Sequence, residues 1–558
     1  MSQAFIKWDT VRDEVLPLGE HMQYEGYVSS YVEKCPFNLF DIRRQRTISR
    51  SELKDDIIAA LMRWIKIPLT CSDILDVVAN IESSSGSWQY DEEPQYLRSF
   101  IFSAMTKNPL IDGEASFLST LGDELRLYSK GRSAYLDPLP IDSVFDAVRV
   151  LIDAKRAQQS IPSHHVDEQI ALFGQYIILS HRWCQNGQEL SYNDSANISD
   201  PKVQAKQGFK KLAGFWTTVE SNYGSRYLWV DSLCIQESDR SVSIPRMFDW
   251  YQHAYACLIL YDGEWSHRGW TLQEFLAASR IKFFTSAWVP DQENTKFDAF
   301  RGGFTISELY SRLRSSLGYL DWDNYTPGPD HAFHLLYAMR NRETTIPEDM
   351  VYCLLSALNI NIPVEYGQGF DRAFYRFQVE CLTRVPDRRF LIWDSPSSSP
   401  YNSMLSPNMK VFNPSIYGDD VANFEGIEYS PPNPLPDASI SFDADGVMRI
   451  MLSLHPWPPP PPRASVSPVN ILLSRSKVAS KPARNVKHEQ GGVVFASLGT
   501  LGDTLQHVGV LLRRIGSRSE GPTDAVMKEE RVIYERIGLQ YCKSYEISSA
   551  NLNWVCIK

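Results

Sequence analysis

The sequence predicts an α/β protein with a parallel-sheet core, flanked by a helical N-terminal region and a β-rich C-terminal region. Three observations carry that prediction. Between Tyr176 and Phe284, short β-branched runs alternate with amphipathic stretches, the pattern of strands joined by helical crossovers. Before residue 170, apolar residues recur at helical spacing. After residue 396, prolines and short strand-like runs take over.

In chain order, residues 1–170 read as a mostly helical region. Ser49 with Glu52 forms a capping box ahead of Leu53, Ile57, Ile58, Leu61, Met62 and Ile65. A second amphipathic helix is expected over Asp142–Ala157, with Val144, Phe145, Val148, Leu151 and Ile152 on one face. The cluster His164-His165-x-Asp167-Glu168 has metal-ligand residue types. Adjacent histidines diverge on any regular element, and no further ligand stands at a useful spacing, so a solvated loop is expected there.

Residues 171–290 form the expected core. Strands are predicted at Tyr176–Leu179, Tyr227–Val230, Ala256–Leu260 and Ile281–Phe284. Helices are predicted over Val203–Tyr223, Pro245–Ala254 and Trp270–Ala277, with Pro245 tolerated in a first turn. Residues 291–395 read as a helical continuation, through Phe304–Leu317, Ala332–Arg342, Met350–Leu358 and Phe370–Leu382. Ser395–Pro400 marks a linker into the proline-containing, β-rich region 396–558. There, Asp445-Gly446 inside Ile440–Leu454 signals a hairpin. Pro458–Pro462 is a stiff spacer or a docking segment. Strands are expected at Val493–Leu498, Val508–Arg513 and Val532–Ile537.

A chain of 558 residues exceeds one hydrophobic core, so two to four domains are expected. The net charge of -11 argues against a nucleic-acid binder with a generally basic surface. The 9 cysteines are scattered without a C-x-x-C pair, which signals neither a zinc ribbon nor a disulfide framework. Charged residues interrupt the N-terminal stretch where a secretory signal needs an apolar core, and no run reaches membrane-spanning length. A cytoplasmic protein is expected. Phosphate loops of the G-x-x-x-x-G-K-[ST] type, G-x-G-x-x-G turns, G-x-S-x-G elbows and H-E-x-x-H helices are all missing from the sequence.

Three blocks inside the core stand out. They are Leu179-Ser180-His181-x-Trp183, then Tyr227-Leu228-Trp229-Val230-Asp231-Ser232-Leu233-Cys234-Ile235-Gln236, then Arg268-Gly269-Trp270-Thr271-Leu272-Gln273-Glu274. In this order they resemble the fungal heterokaryon incompatibility (HET) domain. Pro347–Tyr352 and Glu365–Gly369 with Ala373-Phe374 resemble segments that follow it, so the likeness covers about 171–395. Cys184 stands where glycine is common, Glu237 replaces an aspartate or serine, and the Gln236–Met247 segment is short. The resemblance implies self/non-self recognition and regulated cell death, self-association, and an unidentified incompatibility partner.

The HET domain is in turn remotely similar to the TIR domain, which implies a TIR-like, flavodoxin-like parallel sheet. Some TIR domains cleave NAD+ with one glutamate, and Trp270–Glu274 looks like the W-C-x-x-E segment that carries it. NAD+ is then a candidate substrate, with no resident cofactor and no metal. Cleavage of the nicotinamide–ribose bond passes through an oxocarbenium-like state that a carboxylate stabilises. The leaving group needs no acid, so Glu274 is the candidate catalytic residue. Ser180 and Ser232 are candidate hydrogen-bond donors to ribose or phosphate. Asp231 binds a hydroxyl or orients His181, and Trp183 and Trp270 stack on a base. The competing reading is structural at each position: Asp231 caps a loop, Trp270 and Trp229 are core, His181 is a buried hydrogen-bonded histidine, and Glu274 is a helix-face carboxylate. On that reading the core is a non-catalytic interaction module.

Overall fold

The computed structural model describes residues 15–17, 21–84, 93–110, 113–131, 139–158, 160–290, 325–385, 388–391, 393, 404–411, 440–442, 444, 448–456, 493–500, 506–520, 529–543 and 552–557. It divides into two compact units: Met1–Trp265 with Ala277–Thr305, and Ser266–Leu276 with Ile306–Lys558.

The first unit is built on a mixed six-stranded sheet. Its chain begins with strand β1 (Val15–Pro17), followed by β2 (Asn38–Asp41), β3 (Arg46–Ser49), β4 (Ser160–Pro162), β5 (Tyr176–Ser180), β6 (Tyr227–Trp229), β7 (Ala256–Leu260) and β8 (Ile281–Phe284). Among the described residues, β1 pairs only with β4, antiparallel. The other six run in the order β3-β2-β6-β5-β7-β8. β6, β5, β7 and β8 are mutually parallel, whereas β2 runs antiparallel to both β3 and β6. β5 and β7 are buried at every position, as expected of parallel strands covered on both faces. The chain leaves β5 for β6 on one side and returns to β7 on the other. In open α/β sheets, such a reversal of strand order is where functional side chains gather at the carboxyl ends of the strands.

The parallel strands lie where their aliphatic runs predict them. The hairpin β2–β3 does not: it sits within the stretch that reads as helical. Around it are the helices His21–Lys34, Arg50–Trp64, Cys71–Ser84, Glu93–Lys107, Glu114–Gly131, Ile141–Arg156 and Ser163–Gly174. The Ser49/Glu52 capping box starts Arg50–Trp64, whose Leu53, Ile57, Ile58 and Leu61 are buried. Leu97, Ile101, Phe117, Leu121, Val144 and Val148 belong to a hydrophobic cluster shared by five of these helices.

The His164–Glu168 cluster is not a loop but the first turns of Ser163–Gly174. Val166 and Ile170, four apart, are both buried and pull the segment into a helix. Glu168 pairs with Arg98 at 3.0 Å and accepts the Ser72 hydroxyl at 3.0 Å. Among the described residues, no group of three or more His, Cys, Asp or Glu side chains is placed to hold a metal ion. None of the described helices is long and apolar enough to cross a membrane.

The second unit holds the helices Thr271–Ala277 (its last residue apart), Ala332–Met339, Asp349–Tyr352 and Phe370–Arg384. Its strands are β9 (Ser441–Phe442), β10 (Met448–Pro456), β11 (Val493–Thr500), β12 (Gln506–Glu520), β13 (Glu529–Lys543) and β14 (Leu552–Ile557). Their order is β11-β12-β13-β14-β10-β9, and β11 also pairs with β10, so five strands close on themselves. β9 and β10 form the expected hairpin, Met448 opposite Phe442. Asp445-Gly446, the Phe304–Leu317 helix, the Ser395–Pro400 linker and the Pro458–Pro462 stretch lie outside the described residues.

Candidate functional site

At the carboxyl ends of β5 and β6, in the first unit, the chain assembles a polar array. β5 delivers Ser180 and His181, which are 0% and 1% exposed. β6 runs out at Trp229, and Asp231 opens a helical turn, Asp231–Cys234. The Asp231 carboxylate accepts three donors. Oδ1 takes the Ser232 N–H at 2.7 Å and faces His181 Nε2 at 3.2 Å, while Oδ2 takes the Trp183 indole N–H at 2.8 Å. A carboxylate only accepts, so His181 carries its proton on Nε2. His181 Nδ1 is then an acceptor, and the Lys211 ammonium stands 3.4 Å from it.

Lys211 comes from the helix Gln207–Asn222 and also pairs with Glu189 at 3.1 Å. Glu189 in turn accepts the Cys184 backbone N–H at 2.7 Å. Asp231, His181, Lys211 and Glu189 thus form one alternating chain of charge and hydrogen bond, which fixes both the tautomer and the ring plane of His181. Ser180 Oγ accepts the Trp265 indole N–H at 2.8 Å. Ser232 Oγ is buried and has no hydrogen-bond partner among the described residues. Trp183 is 42% exposed although its N–H is committed to Asp231.

Glu274 and Trp270 belong to the second unit. Glu274 lies in the helix Thr271–Ala277 and is 1% exposed. Trp270 is buried, and its indole N–H donates to Asp349 Oδ2 at 3.2 Å. Asp349 Oδ1 accepts the Tyr366 hydroxyl at 2.8 Å. The neighbouring Glu348 accepts the backbone N–H groups of Gly367 and Gly369 at 2.8 and 2.9 Å. Burial alone would raise the Glu348 carboxyl, but these backbone donors prevail and hold it below its usual range. Gly367 and Gly369 have φ of +86° and +83°, which glycine alone adopts without strain. The Pro347–Tyr352 and Glu365–Gly369 segments are therefore one interlocked support for Trp270.

The first turn of the Glu274 helix is clamped separately. Arg342, 3% exposed, donates through Nη1 to the Arg268 carbonyl and to Thr271 Oγ1, both at 2.9 Å. Glu343 donates its N–H to the His267 carbonyl at 2.7 Å and accepts the Gly269 N–H at 2.9 Å. A Cβ at Gly269 would meet Thr344 Cγ2 at 2.7 Å and Met339 Cε at 3.1 Å, which accounts for glycine between Arg268 and Trp270.

The sequence-predicted residues thus separate into two groups: Ser180, His181, Trp183, Asp231 and Ser232 in one unit, Trp270 and Glu274 in the other. Of the two roles open to Asp231, the three donors on its carboxylate match the orienting one. Trp270 has the burial of a core residue. Sequence reasoning missed Lys211, Glu189, Trp265, Arg342 and Asp349. Lys211 is one of many helix lysines and carries no local signal. Asp349 was marked only as part of the Pro347–Tyr352 segment.

Comparison with known proteins agrees with the arrangement of blocks. Residues 176–264 match the family model described as heterokaryon incompatibility protein (HET), which takes in the β5 and β6 blocks. The chain is 29% identical over 247 residues to the vegetative incompatibility protein HET-E-1 of Podospora anserina, covering 38% of this chain. The match spans only 17% of that relative's length. No solved structure matches the chain. With the first two blocks at the ends of adjacent parallel strands, residues 176–264 are the part of this chain that matches the HET domain.

Proposed function

We propose that this chain acts in fungal self/non-self recognition, as a cytoplasmic effector of vegetative incompatibility whose activation leads to regulated cell death. The observation that carries this reading is the match of residues 176–264 to the HET model, together with the identity to a protein named for vegetative incompatibility. Copies of the chain, and an incompatibility partner, are its expected associates.

The chemistry proposed for it is cleavage of NAD+ or a related nucleotide, with Glu274 as the catalytic carboxylate. The nicotinamide–C1′ bond breaks, neutral nicotinamide leaves with the electron pair, and water captures the sugar cation. A carboxylate in a dry setting stabilises that cation far more than one in water, and Glu274 is 1% exposed. The strand order β6-β5-β7-β8 is the flavodoxin-like order 2-1-3-4, which supports the remote TIR comparison. Taken by themselves, the part-exposed Trp183 and the oriented His181 have the chemistry to stack on a base and to bond a hydroxyl.

The burial of Glu274 and the occupied carboxylate of Asp231 favour a second reading, the non-catalytic module. Incubating the purified full chain with NAD+ and following nicotinamide release separates the two. The enzyme reading expects release to fall by roughly 100-fold or more in Glu274→Gln, and toxicity on expression to fall with it. Absence of turnover in the wild type, with Glu274→Gln as toxic as the parent, leaves the module.

A further inference from the structure

We infer that Lys211 is the positioning residue of the array in the first unit: one ammonium fixes the His181 ring and the chain on both sides of Trp183, and so sets where the part-exposed indole stands. An ammonium has three N–H bonds to give, and at Lys211 each has an acceptor. The Arg182 carbonyl stands at 2.5 Å, Glu189 Oε2 at 3.1 Å and His181 Nδ1 at 3.4 Å. Two of these bracket Trp183. The Arg182 carbonyl belongs to the peptide bond that leads into it. Glu189 Oε2 also takes the N–H of Cys184, one residue beyond it, at 2.7 Å. The backbone is thus held before and after the indole by one side chain, directly on one side and through Glu189 on the other. The indole N–H is held separately, by Asp231 Oδ2 at 2.8 Å.

The helix that carries Lys211 is docked on the same segment by other means. Gly208, one turn before Lys211, donates its N–H to the Gln188 carbonyl at 2.8 Å, and a Cβ there would meet the Leu190 backbone nitrogen at 2.6 Å. The start of Gln207–Asn222 therefore meets residues 188–190 backbone to backbone, with Lys211 three positions on, on the same face. The Lys211 and Glu189 side chains are 20% and 10% exposed, so their pairing is less screened than one at the surface. The ammonium also decides what His181 can be. Nε2 faces Asp231, so a second proton has only Nδ1 to go to, where Lys211 already points a donor. His181 is held as a neutral ring that donates to Asp231.

Only the effect on substrate binding rests on the NAD+ reading; the positioning itself does not. The full chain carrying fluorine-labelled tryptophan and isotope-labelled histidine gives an NMR probe of each group, Trp183 assigned against Trp183→Phe and His181 against His181→Gln. Lys211→Met keeps the apolar stem and loses the donors. It is expected to move or broaden the Trp183 fluorine signal and to shift the His181 Nδ1 signal, while the chain still melts cooperatively. A lysine that served only to stabilise the fold would lower the melting midpoint and leave both signals in place. Either signal unmoved in a folded Lys211→Met overturns the inference. If Lys211→Met fails to fold, Lys211→Arg takes its place. It keeps the charge, but a planar fork cannot meet three acceptors set around one nitrogen, so both signals should still move. Wild-type signals in Lys211→Arg overturn the inference equally.

On the NAD+ reading, Lys211→Met raises the KM for NAD+ by roughly 10-fold, about the worth of one hydrogen bond, and lowers kcat by less. An unmoved KM in an active variant overturns the role in binding. A wild type without turnover rejects the NAD+ reading and leaves the two NMR signals to decide on Lys211.

Discussion

Replacing Asp41 with alanine is expected to destabilise the first unit by about 3 kcal/mol, read as a lowered urea midpoint. Asp41 closes β2, is 0% exposed, and is the anchor of the hairpin on the parallel strands. Arg226, just before β6, grips it with two bonds, Nε to Oδ1 at 3.0 Å and Nη2 to Oδ2 at 2.6 Å. Arg44 adds a bond at 3.0 Å and the Arg43 N–H another at 2.9 Å. Removing the carboxylate strands a half-buried guanidinium. Asp56, 3.2 Å from Arg226, retains part of the pairing, which keeps the loss toward the lower end of the range for buried pairs. Burial would raise the Asp41 carboxyl, but the Arg226 bonds outweigh it and hold it below its usual value. Its contribution is therefore complete above the unfolded carboxyl pKa, about 4, and is lost as pH falls through the lower folded value. The urea midpoints of wild type and Asp41→Ala should draw together as pH falls through that window. A variant within 1 kcal/mol of the parent at neutral pH would show that β-pairing alone seats the hairpin.

The second large effect is expected at Asp231. Alanine there leaves the His181 ring, the Trp183 indole N–H and the Ser232 backbone N–H without their common acceptor. Orphaning buried donors costs about 1–3 kcal/mol each, more when a charged group is lost. Because Trp183 is partly solvated, a total of about 2–4 kcal/mol is expected. Asn at this position recovers part of the loss: its amide oxygen can still accept from Ser232 and His181, but its N–H₂ faces the Trp183 N–H, donor against donor. The specific readout is the Trp183 environment. Freed from Oδ2, the indole should show red-shifted, more mobile fluorescence, identified against Trp183→Phe in the same background. An unchanged Trp183 signal in Asp231→Ala would mean that the indole is held by packing rather than by the carboxylate.

The two effects also mark what was readable in the sequence. β5 and β7 are largely aliphatic runs of five residues, and burial on both faces is why such runs signal themselves. A meeting of His181 with Asp231 was legible because His181 directly follows β5 and Asp231 stands two residues past β6, and parallel neighbours bring their carboxyl ends together. The β2–β3 hairpin was not legible. Its strands have four residues each, and its turn carries Gln45 at φ of +52° where Asn-Gly or Asp-Gly would announce a tight turn. Its pairing with β6 is set by an ion pair between residues 185 apart, which no local pattern records. Arg342 escaped notice for the same reason. It reaches the Glu274 helix across 71 residues of chain, to Thr271, and nothing in its own surroundings marks it.

The antiparallel placement of β2 against β6 has a practical consequence for work on isolated fragments. β2 satisfies the backbone of β6 on the side away from β5. A recombinant piece cut near residue 171, where the family-like blocks begin, would bare that row of N–H and C=O groups along an apolar strand. Exposed edges of this kind recruit other chains by β-addition and precipitate them. A soluble fragment must therefore start upstream of Asn38, so that it brings its own cover for the β6 edge.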